Sequence, residues 1–146
     1  MKALDIDSQP CLIHTAGTPK AVLIQLTARH ERKTIDSELS LIEQGSQMGF
    51  VFVGIDLQQW ALSLMPWADE AVARDTEVGR HAIDTLDYVT HRLLPYIYNR
   101  YGQLPCILGG YSLGGLFSLW AASECPLFDA VAAASPSVWI KSWDNY

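Results

Sequence analysis

The chain has 146 residues, of which 49% are hydrophobic and 18% charged; this composition implies one domain over residues 1–146 with a sizeable core and excludes a disordered polymer. The formal net charge is −6, and the one basic cluster, "RHERK" at 29–33, is closely followed by two acids, which excludes nucleic acid and anionic membrane as partners because both need clustered lysine and arginine. No segment approaches the roughly 20 apolar residues of a membrane span, and Asp5 and Asp7 interrupt the N-terminus where a signal peptide needs an unbroken apolar run.

In chain order, "AVLIQLT" (21–27) is a continuous apolar run of the kind a buried parallel strand shows. "TIDSELSLIEQGSQMG" predicts a helix with Thr34 as its cap and Ile35, Leu39 and Ile42 on one face. "FVFVGID" (50–56) is a second buried strand, and "LQQWALSLMPWADEA" after it reads as a polar and aromatic loop. Val78, Ala82, Leu86, Val89, Leu93 and Ile97 recur at steps of three and four, the stripe of a long helix that Pro95 bends or breaks near its end. "LPCILGG" is a third strand, "LGGLFSLWAASE" a third helix and "FDAVAAAS" (128–135) a fourth strand. Strands alternating with helices predict right-handed crossovers, hence an α/β fold with a mainly parallel sheet of about four or five strands and helices on both faces. Cys11, Cys106 and Cys125 are odd in number and lack metal-ligand spacing, so neither a disulfide framework nor a zinc site is expected, and reduced thiols fit a cytoplasmic protein. The reading calls for no cofactor and no metal.

The most informative stretch is "CILGGYSLGGLFSLWAA" (106–122), in which Gly110, Ser112 and Gly114 spell G-x-S-x-G. That pattern belongs to a sharp turn from strand into helix, which lifts the serine hydroxyl clear of the sheet. Small residues two before and two after are required because strand and helix pass within contact distance there. The helix N-terminus favours developing negative charge, and the Leu113 N–H becomes a donor to a tetrahedral oxyanion. The bare pattern arises by chance in roughly one chain in twenty of this length. Its setting sharpens it, because an apolar strand ends at Gly109 and a periodic helix begins at once. The plainer alternative is a glycine-rich turn whose serine only caps the helix.

"GGYSLGGLFSLWAA" followed by "FDAVAAASPSVW", with "FVFVGIDLQQWALSLMPW" upstream and "YVTHRLLPYIYNRYG" between, resembles the esterase branch of the α/β-hydrolases. That branch holds siderophore (enterobactin-type) esterases, S-formylglutathione hydrolases, feruloyl esterases and mycolyltransferases. The likeness runs from about Ala21 to the C-terminus, and the elbow with "ASPSVW" is its most specific part. It implies an α/β-hydrolase fold lacking the C-terminal part, a small-molecule ester or acyl substrate, Ser112 as nucleophile and the Leu113 N–H in the oxyanion hole. The family's "L-D-G-x" lines up with "LTAR", which makes the Arg29 N–H the second donor. Thr27 and Ala28 stand where the family has Asp-Gly, and a positive φ at Ala28 would strain that loop. The loop after the second strand also lacks the arginine that many members carry.

A serine nucleophile needs a base, itself oriented by a third group, and in α/β-hydrolases the order is Ser, Asp or Glu, then His. Residues 113–146 contain no histidine, and their acids are Glu124, Asp129 and Asp144. Glu124 and Asp129 fall at the wrong end of the sheet, and Asp144 precedes the strand that would carry the acid, so the usual triad is incomplete. Upstream, His81 and His91 lie off the apolar stripe and read as solvated, and His14 precedes the first buried strand. His30 falls on the carboxyl rim beside the elbow, about one 4.8 Å strand spacing away; it is the candidate substitute base, with Asp56 to orient it, and the plainer alternative is a loop histidine with no role. The fourth strand is left as an apolar edge, which invites a homodimer through residues 128–135, a missing cover or a rearranged C-terminus, with "SVWIKSW" folding back over part of the gap. The leading expectation is thus a serine hydrolase of esterase type, inactive in this shortened form unless a base is found. The alternatives are a non-catalytic hydrolase-fold binding or interaction protein, and a peptidase or acyltransferase on the same fold.

Overall fold

The computed structural model describes residues 1–72 and 77–146. Six strands form one sheet in the order β1-β2-β4-β3-β5-β6: β1 (Lys2–Ile6), β2 (Gln9–Ala16), β3 (Pro19–Ala28), β4 (Gly49–Leu57), β5 (Cys106–Tyr111) and β6 (Ala130–Ala134). The four apolar runs read from the sequence are β3 to β6, all mutually parallel. The sheet exceeds the expected four or five strands because residues 2–16 add an antiparallel hairpin beside β4. Its turn is Asp7–Ser8, both at positive φ (51° and 68°), closing between the paired Ile6 and Gln9. This two-residue geometry usually announces itself by a glycine or asparagine, and neither is present. β1 is largely exposed and so lacks an apolar run as well.

Alternation along the strands splits the core between two faces. Val22, Ile24, Leu26, Val51, Val53, Ile55, Cys106 and Leu108 meet α3 (Ala82–Tyr88), α4 (Leu94–Tyr101) and α5 (Leu113–Glu124) on one side. Leu12, Phe50 and Phe52 meet Ile35 and Leu39 of α1 (Ile35–Gly45) on the other. Helices therefore lie on both faces, as expected for right-handed crossovers from β3 through α1 to β4 and from β5 through α5 to β6.

Two details depart from the sequence reading. The loop after β4 contains a short helix, α2 (Trp60–Leu64), whose Leu64 and the following Met65 are fully buried. The long helix begins at Ala82 rather than Val78, and a π turn over Val89–Leu93 precedes Pro95. Proline offers no N–H and its ring crowds the carbonyl four residues back, so the wider turn lets the helix continue through it into α4. Thr34 sits at the cap position of α1, but its hydroxyl donates to the Glu31 carbonyl or the Glu38 carboxylate and leaves the helix N–H groups alone.

The C-terminal segment does not cover the outer side of β6, which remains an edge. It runs instead to the face carrying α5, where Ile140 is buried, Trp143 stacks on Trp67 and Tyr146 packs tilted against the same ring. Leu108 sits fully buried at the middle of the sheet. Leu108→Ala is expected to lower unfolding free energy by about 3 kcal/mol, whereas a polar replacement of the exposed Leu41 stays within about 0.5 kcal/mol, both read by urea denaturation.

Candidate active site

The carboxyl ends of β4, β3, β5 and β6 share one rim because the strands are parallel; Asp56 lies at the end of β4, and the turns leaving β3, β5 and β6 carry Arg29, His30, Ser112 and Ser137. At the centre is the β5–α5 turn. Ser112 has φ 56° and ψ −114°, a conformation that L-residues rarely hold, and α5 begins at the next residue. A Cβ on Gly110 would lie 2.7 Å from the Gly114 carbonyl carbon, one on Gly114 3.1 Å from the Trp60 ring, and one on Gly115 3.1 Å from the Gly110 carbonyl oxygen. Strand and helix thus pass at backbone contact, which is why the flanking positions are glycine.

The elbow is stitched to the turn after β6. The Ser112 N–H donates to the Ala134 carbonyl (3.0 Å), the Ser137 N–H donates to the Ser112 carbonyl (3.1 Å), and the two Oγ atoms lie 3.0 Å apart. Ser112 is half-buried at the rim and Ser137 is 2% exposed. Leu113 opens α5, so its N–H is among those a helix leaves without an intrahelical acceptor. Across the rim, Ala28 does not adopt the positive φ that would have strained it. Its N–H donates to the Glu31 carboxylate at 2.7 Å, and this bond shapes the turn that carries Arg29 and His30. Two exposed aromatic residues lie close by in the chain: Tyr111 directly before Ser112 (55% exposed) and Trp139 two residues beyond Ser137 (68% exposed).

The four histidines sort by their surroundings. His14 pairs with Glu43, His81 with Asp84, and His91 lies 3.0 Å from the Thr90 hydroxyl near Asp87. His30 is exposed and lines a groove of about 550 Å³ with Gly109, Gly110 and Tyr111, between α1 and the sheet. Asp56 does not turn toward it. One carboxylate oxygen of Asp56 meets Arg32 at 3.4 Å, and the other is buried without a partner. Cys106, six residues before Ser112, stays a thiol, because burial and the nearby Asp129 push its pKa up to about 12. Among the described residues no metal-ligand cluster occurs.

Sequence reasoning passed over Ser137, although it lies within "ASPSVW", the stretch already singled out as specific. What placed it against Ser112 is the turn at Ser135 (φ 43°) with Pro136 packed on Gly115, a tertiary arrangement that no local spacing encodes.

The Esterase family model, described as putative esterase, matches residues 46–145. The chain belongs to this esterase family. No curated protein sequence matches it. Among solved structures, the fold is shared with siderophore hydrolase EstA from Aspergillus nidulans (TM-score 0.68, 22% identity), over 92% of this chain and 56% of that one. It is also shared with the enterochelin esterase from Shigella flexneri (TM-score 0.69, 20% identity; 94% and 36%). A third is the enterobactin hydrolase IroE in complex with DFP (TM-score 0.65, 19% identity; 99% and 65%). This esterase-family chain therefore spans between about a third and two-thirds of each relative's length.

The turn carrying Ser137 continues into a clasp. Asp69 accepts N–H bonds from Lys141 (2.8 Å) and Ala71 (2.9 Å), and the Trp67 indole N–H donates to the Lys141 carbonyl. These two amide donors, Lys141 first, hold the Asp69 carboxyl below its ordinary value. A depressed folded-state value means stabilisation present above the unfolded value near 4 and lost as pH falls through the lower one. The stability gap between the native chain and Asp69→Ala, measured by denaturant titration, should accordingly be open at pH 6 and close as pH drops below about 4. At the elbow, Ser112→Gly and Ser112→Ala both lose the hydroxyl, but only glycine accepts the positive φ. The glycine variant should be the more stable of the two by about 1 kcal/mol.

Proposed function

We propose that the chain acts by acyl transfer from small-molecule esters through Ser112, as a serine hydrolase of esterase type. The single observation that carries this reading is the strained turn at residue 112, which presents a hydroxyl at the sheet's carboxyl rim next to the first N–H groups of α5. Serine has no local reason to occupy positive φ, so the strain points to function. In the reaction a base removes the Ser112 proton as Oγ attacks the ester carbonyl carbon. The resulting oxyanion takes hydrogen bonds from the N–H groups of Leu113 and Arg29. The C–O bond to the leaving alcohol then breaks as the alcohol oxygen takes up the proton, and water hydrolyses the acyl-enzyme by the same route.

Within this chain the candidate base is His30, because the other three histidines already hydrogen-bond Glu43, Asp84 and the Thr90 hydroxyl. Asp56, committed to Arg32, is not its orienting group. The structures named above include a siderophore hydrolase, an enterochelin esterase and an enterobactin hydrolase, and the exposed ring of Tyr111 next to Ser112 suits a planar acyl or alcohol portion. We therefore infer a siderophore-type or related aryl ester as the substrate class. One observation favours a non-catalytic binding role instead: the hydrogen bond recorded for Ser112 Oγ runs to Ser137, and to no imidazole.

A fluorophosphonate probe separates the two. Labelling of the folded protein that disappears in Ser112→Ala supports the nucleophile, and folded protein that takes no label supports the binding role. Hydrolysis of p-nitrophenyl acetate then tests the base: His30→Ala should cut the rate by about 10²-fold or more, and an unchanged rate removes His30 from the mechanism.

A further inference from the structure

We propose that Ser137 is a positioning residue for Ser112: its buried hydroxyl donates a hydrogen bond to Ser112 Oγ, fixing that oxygen in one rotamer and leaving the Ser112 proton free to be removed. This rests on the nucleophile reading above and adds a second side chain to that site. The direction of the bond follows from counting protons. A hydroxyl has one proton to give and two lone pairs to receive with, so the 3.0 Å contact between the two oxygens uses one of the two available protons. Ser137 is 2% exposed, and Ser112 Oγ is the partner recorded for its side chain. If Ser112 were the donor, the Ser137 proton would be stranded in a buried site, which native proteins avoid. With Ser137 donating, both groups are satisfied, because Ser112 is only half-buried and its own proton is free to face solvent.

The arrangement is rigid enough to act on chemistry. Ser137 is tied to the same residue through its backbone, its N–H bonded to the Ser112 carbonyl, while Pro136 packs on Gly115 and Ser135 holds the turn at positive φ. Ser137 therefore keeps its register with the elbow. As the proton leaves Ser112, the hydrogen bond from Ser137 becomes charge-assisted and strengthens. A bond to the charged form favours that form, so Ser137 makes the nucleophile easier to ionise.

Ser112→Cys supplies a readout that needs no catalytic base. The pH dependence of its alkylation by iodoacetamide, followed at the residue-112 peptide by mass spectrometry, reports the acidity of the group at that position. Cys11 and Cys106 are buried and Cys125 is scored on its own peptide. Adding Ser137→Ala removes the hydroxyl but keeps the backbone N–H bond, so a purely structural role for the turn predicts no change. The inference predicts that the alkylation midpoint rises by about one pH unit, a tenfold loss of thiolate at a given pH, and that Ser137→Thr restores it. Ser137→Gly serves if the alanine variant does not fold by circular dichroism. An unchanged midpoint overturns the inference even where the fluorophosphonate labels Ser112, whereas a raised midpoint in a protein that takes no label keeps the hydrogen bond and removes the nucleophile reading.

Discussion

The close approach of β5 and α5 at Gly110 and Gly114 is the constraint on which the rest of the site depends. A single methyl group at Gly110 would sit 2.7 Å from backbone carbon, closer than packed atoms tolerate, so the two elements can meet at this angle only without side chains. That meeting forces the intervening residue into positive φ, and the same turn points the first free N–H groups of α5 along the path of the hydroxyl. Strain, exposure and electrostatic setting at residue 112 are thus three results of one packing contact. The ring of Trp60 closes over Gly114, which gives the short helix after β4 its part in holding the elbow.

How much of this was legible in the sequence depends on whether the signal was local. β3, β4 and β5 could be read because strands buried on both faces are apolar throughout, and the elbow because its glycines answer a contact between residues four apart. The hairpin over residues 2–16 escaped because Asp7 and Ser8 adopt positive φ without the usual glycine, and because an exposed edge strand has no apolar run to betray it. The short helix over 60–64 was hidden by the aromatic and polar character that made the segment look like a loop. Ser137 and the Asp56–Arg32 pair were illegible for a different reason. They depend on which strand ends stand side by side, and that follows from the strand order β4-β3-β5-β6, not from any spacing along the chain.

Asp56 shows how placement on the right rim falls short of a catalytic role. It ends β4, one strand from the turn that carries His30, and its side chain is nine-tenths buried. Yet the 3₁₀ turn at 31–33 swings Arg32 over it, and the guanidinium claims the outward carboxylate oxygen. A permanently charged guanidinium is a stronger partner for a carboxylate than a neutral imidazole. The local order of residues in "RHERK" decides which of two neighbours receives it.

The parallel pairing of β3 with β5 joins Val22 to Cys106 and Leu26 to Gly110, partners more than eighty residues apart along the chain. Such contacts close large loops before any reward arrives, and they set the pace at which a polypeptide reaches its native state. The elbow hangs from the upper end of this seam. Until residues 22–26 and 106–110 have met, nothing compels Ser112 to bend, so a partly folded chain would carry the same glycines and the same hydroxyl with no turn to hold them. Assembly of the sheet's middle and formation of the strained turn are one event.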